Sequence, residues 1–235
     1  KANKKWPPGV KRISFSLLTT IVIVLPCVVG MVVFANPILK LVFPNASDGA
    51  FVMQICVLAT IFTAMEQTIN GAWQGLGKIF VPAAALTIGV LLKLIVNLIL
   101  VPIPTDVFPL WGVVGAAFAT DVCHFTAFWI VFSVLKKTVN LKTSFTKLMF
   151  KPFVASIMMA IVSYGAYLLL NSIIAPKVAT IIALVVAVIV YALSILILRV
   201  FTEEDILMLP FGNKIYAILV KFGIYKQKTV KNTEN

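Results

Sequence analysis

Apolar residues gather in long runs along this chain, and short polar or proline- and glycine-containing segments separate the runs. A helix that crosses a bilayer needs about 20 mostly apolar residues. Six runs are long enough, at residues 13–35, 51–73, 79–101, 111–135, 152–171 and 178–198. A transmembrane barrel strand would alternate apolar and polar residues, and these runs do not. The pattern therefore predicts an all-α integral membrane protein with six transmembrane helices.

Three prolines refine the predicted helices. Proline is tolerated in the first turn of a helix, where its missing N–H would have no partner in any case. Pro82 and Pro152 therefore predict helix starts just before them. Pro26 lies inside the first run, where it removes one backbone hydrogen bond and predicts a kink.

The composition supports a membrane protein. Of the 235 residues 61% are hydrophobic and 12% charged, and the mean hydropathy is +1.05. Soluble domains are about 45–50% apolar and about 25% charged, so disordered chains and ordinary cytosolic enzymes are excluded. Cys27, Cys56 and Cys123 lie in apolar runs without metal or redox spacing, which favours structural thiols. No set of catalytic or metal-binding residues is recognised, so we predict neither an enzyme nor a cofactor.

The basic residues predict the orientation. There are 20 of them against 8 acidic residues, and in a membrane protein such an excess marks cytoplasmic loops rather than a nucleic-acid partner. With a cytoplasmic amino end, 17 of the 20 lie on the cytoplasmic side, Lys40 and Lys177 lie in outer loops, and Lys93 lies inside the membrane. Both ends are therefore predicted to be cytoplasmic. The chain begins at Lys1 without a signal-peptide layout, so we interpret it as the carboxyl-terminal part of a longer protein.

The last segment, residues 203–235, is too polar to span a membrane. Apolar residues between 206 and 222 are interspersed with Lys214 and Lys221. This mixture predicts an amphipathic segment on the inner leaflet. A soluble tail helix is the alternative.

A polar stripe runs along the second predicted transmembrane helix. Its members recur at steps of three and four residues: Thr60, Thr63, Gln67, Asn70 and Gln74. Glu66 lies beside this stripe. Polar groups are expensive inside a bilayer. The stripe therefore faces either a water-filled cavity or another helix, to which it would be joined by hydrogen bonds.

Ionisable residues also lie near the middle of the third and fourth predicted helices. Lys93 shares a helix face with Asn97, and Asp121 shares one with His124. The two helices are joined by a short loop and should be antiparallel neighbours, which places Lys93 and Asp121 at similar depths. An ion pair between them would serve packing, or it would contribute charge to a cavity for an anionic head group or a coupling ion.

Several fragments of the chain resemble one known family. The fragments are Gln74-Gly75-Leu76-Gly77-Lys78, Pro82, Gly89, Lys93, Asn97, Pro102-Ile103-Pro104, Gly112, Gly115-Ala116-Ala117, Thr120, Lys151-Pro152, Ser156 and Glu204-Asp205-Ile206-Leu207-Met208-Leu209-Pro210. In order and spacing over residues 14–224, they are similar to the stage V sporulation protein B branch of the oligosaccharide and lipid II flippases. That branch belongs to the multidrug/oligosaccharidyl-lipid/polysaccharide exporter superfamily.

The resemblance implies a fourteen-helix transporter of two lobes, of which this chain would supply helices nine to fourteen. Residues 1–150 would be the last four helices of the second lobe, 151–202 two extra helices, and 203–235 the tail. The amino-terminal lobe would be a partner within the same protein. The implied task is to move an undecaprenyl-pyrophosphate-linked oligosaccharide, lipid II or a polysaccharide precursor, across the bacterial cytoplasmic membrane by alternating access.

The resemblance also bears on the candidate cavity residues. Lys93 matches a family position that can serve as a cavity cation, whereas Glu66, Asp121 and His124 depart from the family's pattern. Together with Asn97, Gln67 and Asn70, they are the candidate substrate-cavity residues. Two other interpretations stay open. One is a drug/cation antiporter of the same superfamily, with Glu66 or Asp121 as a proton or sodium site. The other is a membrane scaffold without transport.

Overall fold

A computed structural model of the chain describes residues 8–43, 49–102, 112–139 and 145–208, and the single positions 212, 216 and 220. These residues form α-helices and no β-strand. The helices are α1 (Pro8–Val33), α2 (Ala35–Val42), α3 (Ala50–Cys56), α4 (Ala59–Gly75), α5 (Phe80–Leu100), α6 (Val113–Thr138), α7 (Phe145–Asn171), α8 (Pro176–Ile197) and α9 (Glu203–Met208). The predicted all-α fold is confirmed.

Six helical segments are long and apolar enough to span a membrane, as the hydrophobic pattern predicts. They are Gly9–Val33, Ala50–Gly75, Phe80–Leu100, Val113–Thr138, Leu148–Asn171 and Pro176–Ile197. Pro82 lies in the first turn of α5, as expected. The expectation for Pro152 is wrong, because α7 begins at Phe145. Leu148 packs into the hydrophobic core, and this burial stabilises the helical turns that precede the proline.

The second span is interrupted. Helices α3 and α4 are separated by a turn at Val57 and Leu58. Leu58, Thr60 and Ile61 donate their backbone N–H groups three residues back, to Ile55, Val57 and Leu58, instead of four. The tighter turn leaves α4 with its own amino end inside the span, and a helix amino end carries partial positive charge.

The spans pack side by side in an order that differs from their order along the chain. Helix α5 packs on α6, α6 on α4 and α3, α4 on α1, α1 on α7, and α7 on α8. The hydrophobic core lies where α1, α4 and α6 meet. Its largest fully buried side chains include Trp73 and Phe128, and the Trp73 indole N–H donates to the Val131 carbonyl at 3.3 Å.

Helices α5 and α6 form the predicted antiparallel pair. The Gly112 N–H donates to the Leu100 carbonyl at 3.1 Å, which joins the ends of the two helices. Near their middles, a Cβ added to Gly89 would lie 2.7 Å from the Cys123 carbonyl oxygen. Only glycine permits this approach of two helix backbones. The register that follows places Lys93 opposite Ala119.

The proline inside α1 has a partner on α8. Pro26 has no N–H, so the carbonyl of Val22, four residues earlier, loses its usual donor. The Tyr191 hydroxyl donates to that carbonyl at 2.6 Å. An unpaired carbonyl is costly in a bilayer, so this hydrogen bond both satisfies the backbone of α1 and fixes α8 against it.

Candidate functional site

The polar stripe of α4 lies partly on the outer surface of the packed helices. Thr60, Gln67 and Gln74 are exposed, and Thr63 and Asn70 are half-buried. The described helices therefore cover the stripe only in part. One of the two sequence interpretations is hydrogen bonding of the stripe to another helix. Such bonding within the described chain does not account for the exposed members of the stripe. Among them, Gln67 lies well inside the span Ala50–Gly75. Lipid cannot satisfy its amide, which favours water or a further polypeptide at this surface.

Glu66 and His124 form a polar contact between α4 and α6. His124 Nδ1 lies 3.1 Å from Glu66 Oε2, a hydrogen bond that becomes an ion pair when the histidine is protonated. Glu66 is 4% exposed. The sequence predicts both residues as candidates but does not predict this pairing, because helical spacing places His124 on the same face as Asp121.

Asp121 contacts a different part of the structure. Its carboxyl group faces the backbone of Ala59, the first residue of α4. It also lines a groove with Leu58 and Phe62. The carboxylate thus lies at the positive end of a helix that has no side-chain cap of its own. This placement gives a physical reason for an acid inside a span.

The expected ion pair between Lys93 and Asp121 is not formed: the two are not within salt-bridge distance in the part of the chain described. Their depths do agree. Asp121 is two residues from Ala119, the residue opposite Lys93, which is a difference of about 3 Å along the helix. The two side chains do not meet, because they lie on different sides of α6. Helix α5, which carries Lys93, packs against the Cys123 side of α6, whereas Asp121 faces α3 and α4.

Lys93 and Asn97 are half-buried on α5. Lys93 lies one turn along α5 from Gly89, which packs against Cys123, so Lys93 belongs to the face of α5 that contacts α6. The side-chain oxygens Asn70 Oδ1, Asn97 Oδ1 and Asp121 Oδ1 are buried without a hydrogen-bond partner in the described structure. Buried polar atoms normally have partners. Unsatisfied amide oxygens at Asn70 and Asn97 fit a site that holds water or a polar ligand.

No protein-family model, curated protein or solved structure matches this chain.

The resemblance to the flippases therefore depends on the residues of the sequence alone. The structure adds how the seven candidates are arranged. Glu66 and His124 pair. Lys93 and Asn97 follow Gly89 at steps of four on the face of α5 that packs against α6. Gln67 and Asn70 are on the stripe. Asp121 alone is directed toward the α3–α4 turn. The described residues contain no cluster of His, Cys, Asp and Glu that could hold a metal ion.

Sequence reasoning missed the polar contacts between helices, and two of them show why. The Tyr191–Val22 bond had a signal, since Pro26 frees the carbonyl four residues before it. The Thr20 and Thr68 hydroxyls lie 2.7 Å apart between α1 and α4, and periodicity alone does not pair them. Most of the tail predicted to lie on the inner leaflet is outside the described residues. Its described beginning, α9, is capped by Thr202 and Asp205, which exchange side-chain and backbone hydrogen bonds.

Proposed function

We propose that this chain forms one wall of a flippase that moves an undecaprenyl-pyrophosphate-linked oligosaccharide, such as lipid II or a polysaccharide precursor, across the bacterial cytoplasmic membrane. The proposal combines the family resemblance with one structural observation, the polar stripe exposed on α4. A pyrophosphate cannot cross hydrocarbon unaided, since an unpaired charge there is very costly. A transporter for it needs a hydrated, polar surface inside the membrane, and the lipid tail can stay in the bilayer.

The stripe has the properties that such a surface requires. It lies on a span of 26 residues, Ala50–Gly75, and its exposed amides face away from the described helices. A water-filled cavity also needs a second wall, which we assign to the amino-terminal lobe of the complete transporter. Alternating access would then arise from movement of the two lobes around the cavity.

Lys93 supplies the cation in this proposal. It is half-buried in a span and forms no ion pair among the described residues. An ammonium in that position is costly unless water or an anion reaches it. A pyrophosphate in the cavity would satisfy it, and Asn97 one turn away offers an amide to the same ligand.

A labelling experiment tests the cavity. In the complete gene product, with the three native cysteines of this chain changed to alanine, Gln67→Cys should react with a membrane-impermeant maleimide. Thiols react as thiolates, which form only where water reaches them. Leu94→Cys is the matched control: Leu94 is also exposed on a span, but on an apolar surface, and should stay unlabelled.

Equal protection of positions 67 and 94 would contradict the cavity and favour a scaffold.

The same protein, with the three cysteines of this chain replaced, also tests the orientation. We propose that both ends are cytoplasmic, because 17 of the 20 basic residues lie on that side. Lys40→Cys should then react from outside intact cells, and reaction only from the inside would reverse the topology.

Lys93→Met should reduce flipping of a lipid-linked oligosaccharide about tenfold to a hundredfold in proteoliposomes of the complete gene product. A hydrogen bond to a charged group contributes about 1.5–3 kcal/mol, which corresponds to that range. The yield of folded protein should change little. Lys78→Met removes the same charge from an exposed position between two spans and should leave flipping unchanged. Wild-type flipping by Lys93→Met would leave Lys93 as a side chain that reaches toward the interface.

The buried Glu66–His124 contact favours a second candidate, a drug/cation antiporter of the same superfamily. Carboxylates inside a span often bind coupling ions or protons. In an antiporter, Glu66→Gln or Asp121→Asn would abolish the dependence of transport on a sodium or proton gradient. In the flippase proposed here, Lys93→Met has the larger effect, and the amide variants retain transport in proportion to their folded yield.

A further inference from the structure

A groove of about 540 Å³ lies between α2 and the turn that joins α7 to α8. It lies near the carboxyl end of α1, the end away from the chain's amino terminus. In the order in which the helices pack, α7 and α8 are also the helices farthest from the α5–α6 pair. Lys40 contributes from α2, Tyr167 from α7 and Lys177 from α8. None of these residues belongs to the candidate cavity.

The charge in this groove is unusual for the chain. Lys40 and Lys177 are the two basic residues that the charge distribution places in outer loops, and both line this one groove. Both are exposed, and neither forms an ion pair among the described residues. The described residues that line the groove include no acid. Two cations that line one groove, with no counter-charge among the described lining residues, favour an anionic ligand.

The walls of the groove are apolar. Pro37 and Leu41 of α2 face Val178 of α8. Below them, Tyr167 packs edge-on against the buried ring of Phe34 at 5.9 Å between centroids. Aromatic and amphipathic side chains at the end of a span are typical of the membrane–water interface. A ligand in the groove would therefore meet cations at one end and hydrocarbon along its length.

We propose that this groove binds an anionic phospholipid of the leaflet in which α2 lies, the outer leaflet in the orientation proposed above. Lys40 and Lys177 would contact the phosphate of the head group, and the acyl chains would lie along α2 and α8. The bound lipid would join α2 to the α7–α8 pair at the membrane surface. The site is separate from the transport cavity and is independent of the transported substrate.

The test is a lipid titration of the full chain in detergent, followed by native mass spectrometry. Dioleoyl phosphatidylglycerol should bind at one tight site, and dioleoyl phosphatidylcholine, which has no net charge, should not. Lys40→Gln/Lys177→Gln should weaken phosphatidylglycerol binding about thirtyfold, because each lysine near a membrane surface contributes a factor of about five. Lys40→Arg/Lys177→Arg should retain binding, since the charge remains.

The matched control is Lys136→Gln/Lys137→Gln, which removes two exposed charges at the carboxyl end of α6. It should leave the tight site intact. Equal loss in the control, or unchanged binding in Lys40→Gln/Lys177→Gln, would overturn the proposal. Displacement of the lipid by inorganic phosphate would also contradict it, because the groove would then select the phosphate without the acyl chains. Unchanged thermal unfolding of each variant without lipid confirms that it is folded.

Discussion

His124→Leu should destabilise the protein by about 3 kcal/mol, the upper end of the typical cost of leaving a buried polar group without its partner. The remaining partner, the Glu66 side chain, is only 6% exposed and would lie against leucine. Glu66→Leu should be milder, because the His124 side chain is 25% exposed and retains more access to water. Unfolding of the purified protein in mixed micelles by increasing sodium dodecyl sulfate measures the difference.

The double variant Glu66→Leu/His124→Leu should recover most of the lost stability, because neither member of the pair is then left without its partner. Thr120→Val is the control. Thr120 lies one turn from His124 on α6, and its hydroxyl donates to the Ala116 carbonyl of its own helix. Its loss should change the free energy of unfolding by less than about 1 kcal/mol. Strictly additive effects of the two leucine changes would show that Glu66 and His124 do not interact.

Gly89→Ala should destabilise the α5–α6 pair by about 2 kcal/mol, within the range for overpacked interiors. The added Cβ would lie 2.7 Å from a backbone oxygen of α6, which cannot turn aside as a side chain can. The helices must therefore separate along the contact that also positions Lys93, one turn further along α5. The same unfolding measurement gives the loss, and flipping by the complete gene product should fall with it.

Gly71→Ala is the matched control for this contact. Gly71 also lies inside a spanning helix, and a Cβ there would meet nothing within 4 Å. Alanine should be neutral or stabilise α4 by up to about 1 kcal/mol.

A second comparison tells whether the added Cβ at position 89 clashes with the backbone or with the side chain of Cys123. Gly89→Ala/Cys123→Ala removes the sulfur but not the carbonyl oxygen, and should therefore remain destabilised. Full rescue by Cys123→Ala would assign the close approach to the sulfur instead.

These effects concern the contacts between helices, which are also where sequence reasoning was weakest. Depth in the membrane was predictable, since it follows from position along an apolar run, and Lys93 and Asp121 do lie at similar depths. Direction around the helix axis was not. Asp121 and His124 are three residues apart, yet one faces the start of α4 and the other faces Glu66. A difference of about 60° around a helix is enough to send neighbouring side chains to different partners.

The interruption of the second span illustrates the same limit. The run 51–73 is continuous in hydropathy, and neither proline nor glycine marks the turn at Val57 and Leu58. Because the backbone there is held by tertiary contacts with α6, local composition gives no signal. Conversely, the sequence carries a clear signal for the turn after α4. Gly77 has a positive φ of 71° and lets Lys78 donate to the Trp73 carbonyl, which closes the helix.

The helical class, the six spanning segments and the antiparallel pairing of α5 with α6 could all be predicted before any coordinates were known. Each of these follows from the length of an apolar run or of the loop after it, because a bilayer requires satisfied backbone and apolar side chains over a fixed thickness. Four features became visible only in the folded chain: which helices are neighbours, the pairing of Glu66 with His124, the exposure of part of the α4 stripe, and the groove that Lys40 and Lys177 share. Those outcomes depend on how helices rotate and pack against one another, and packing is set jointly by residues far apart in the chain.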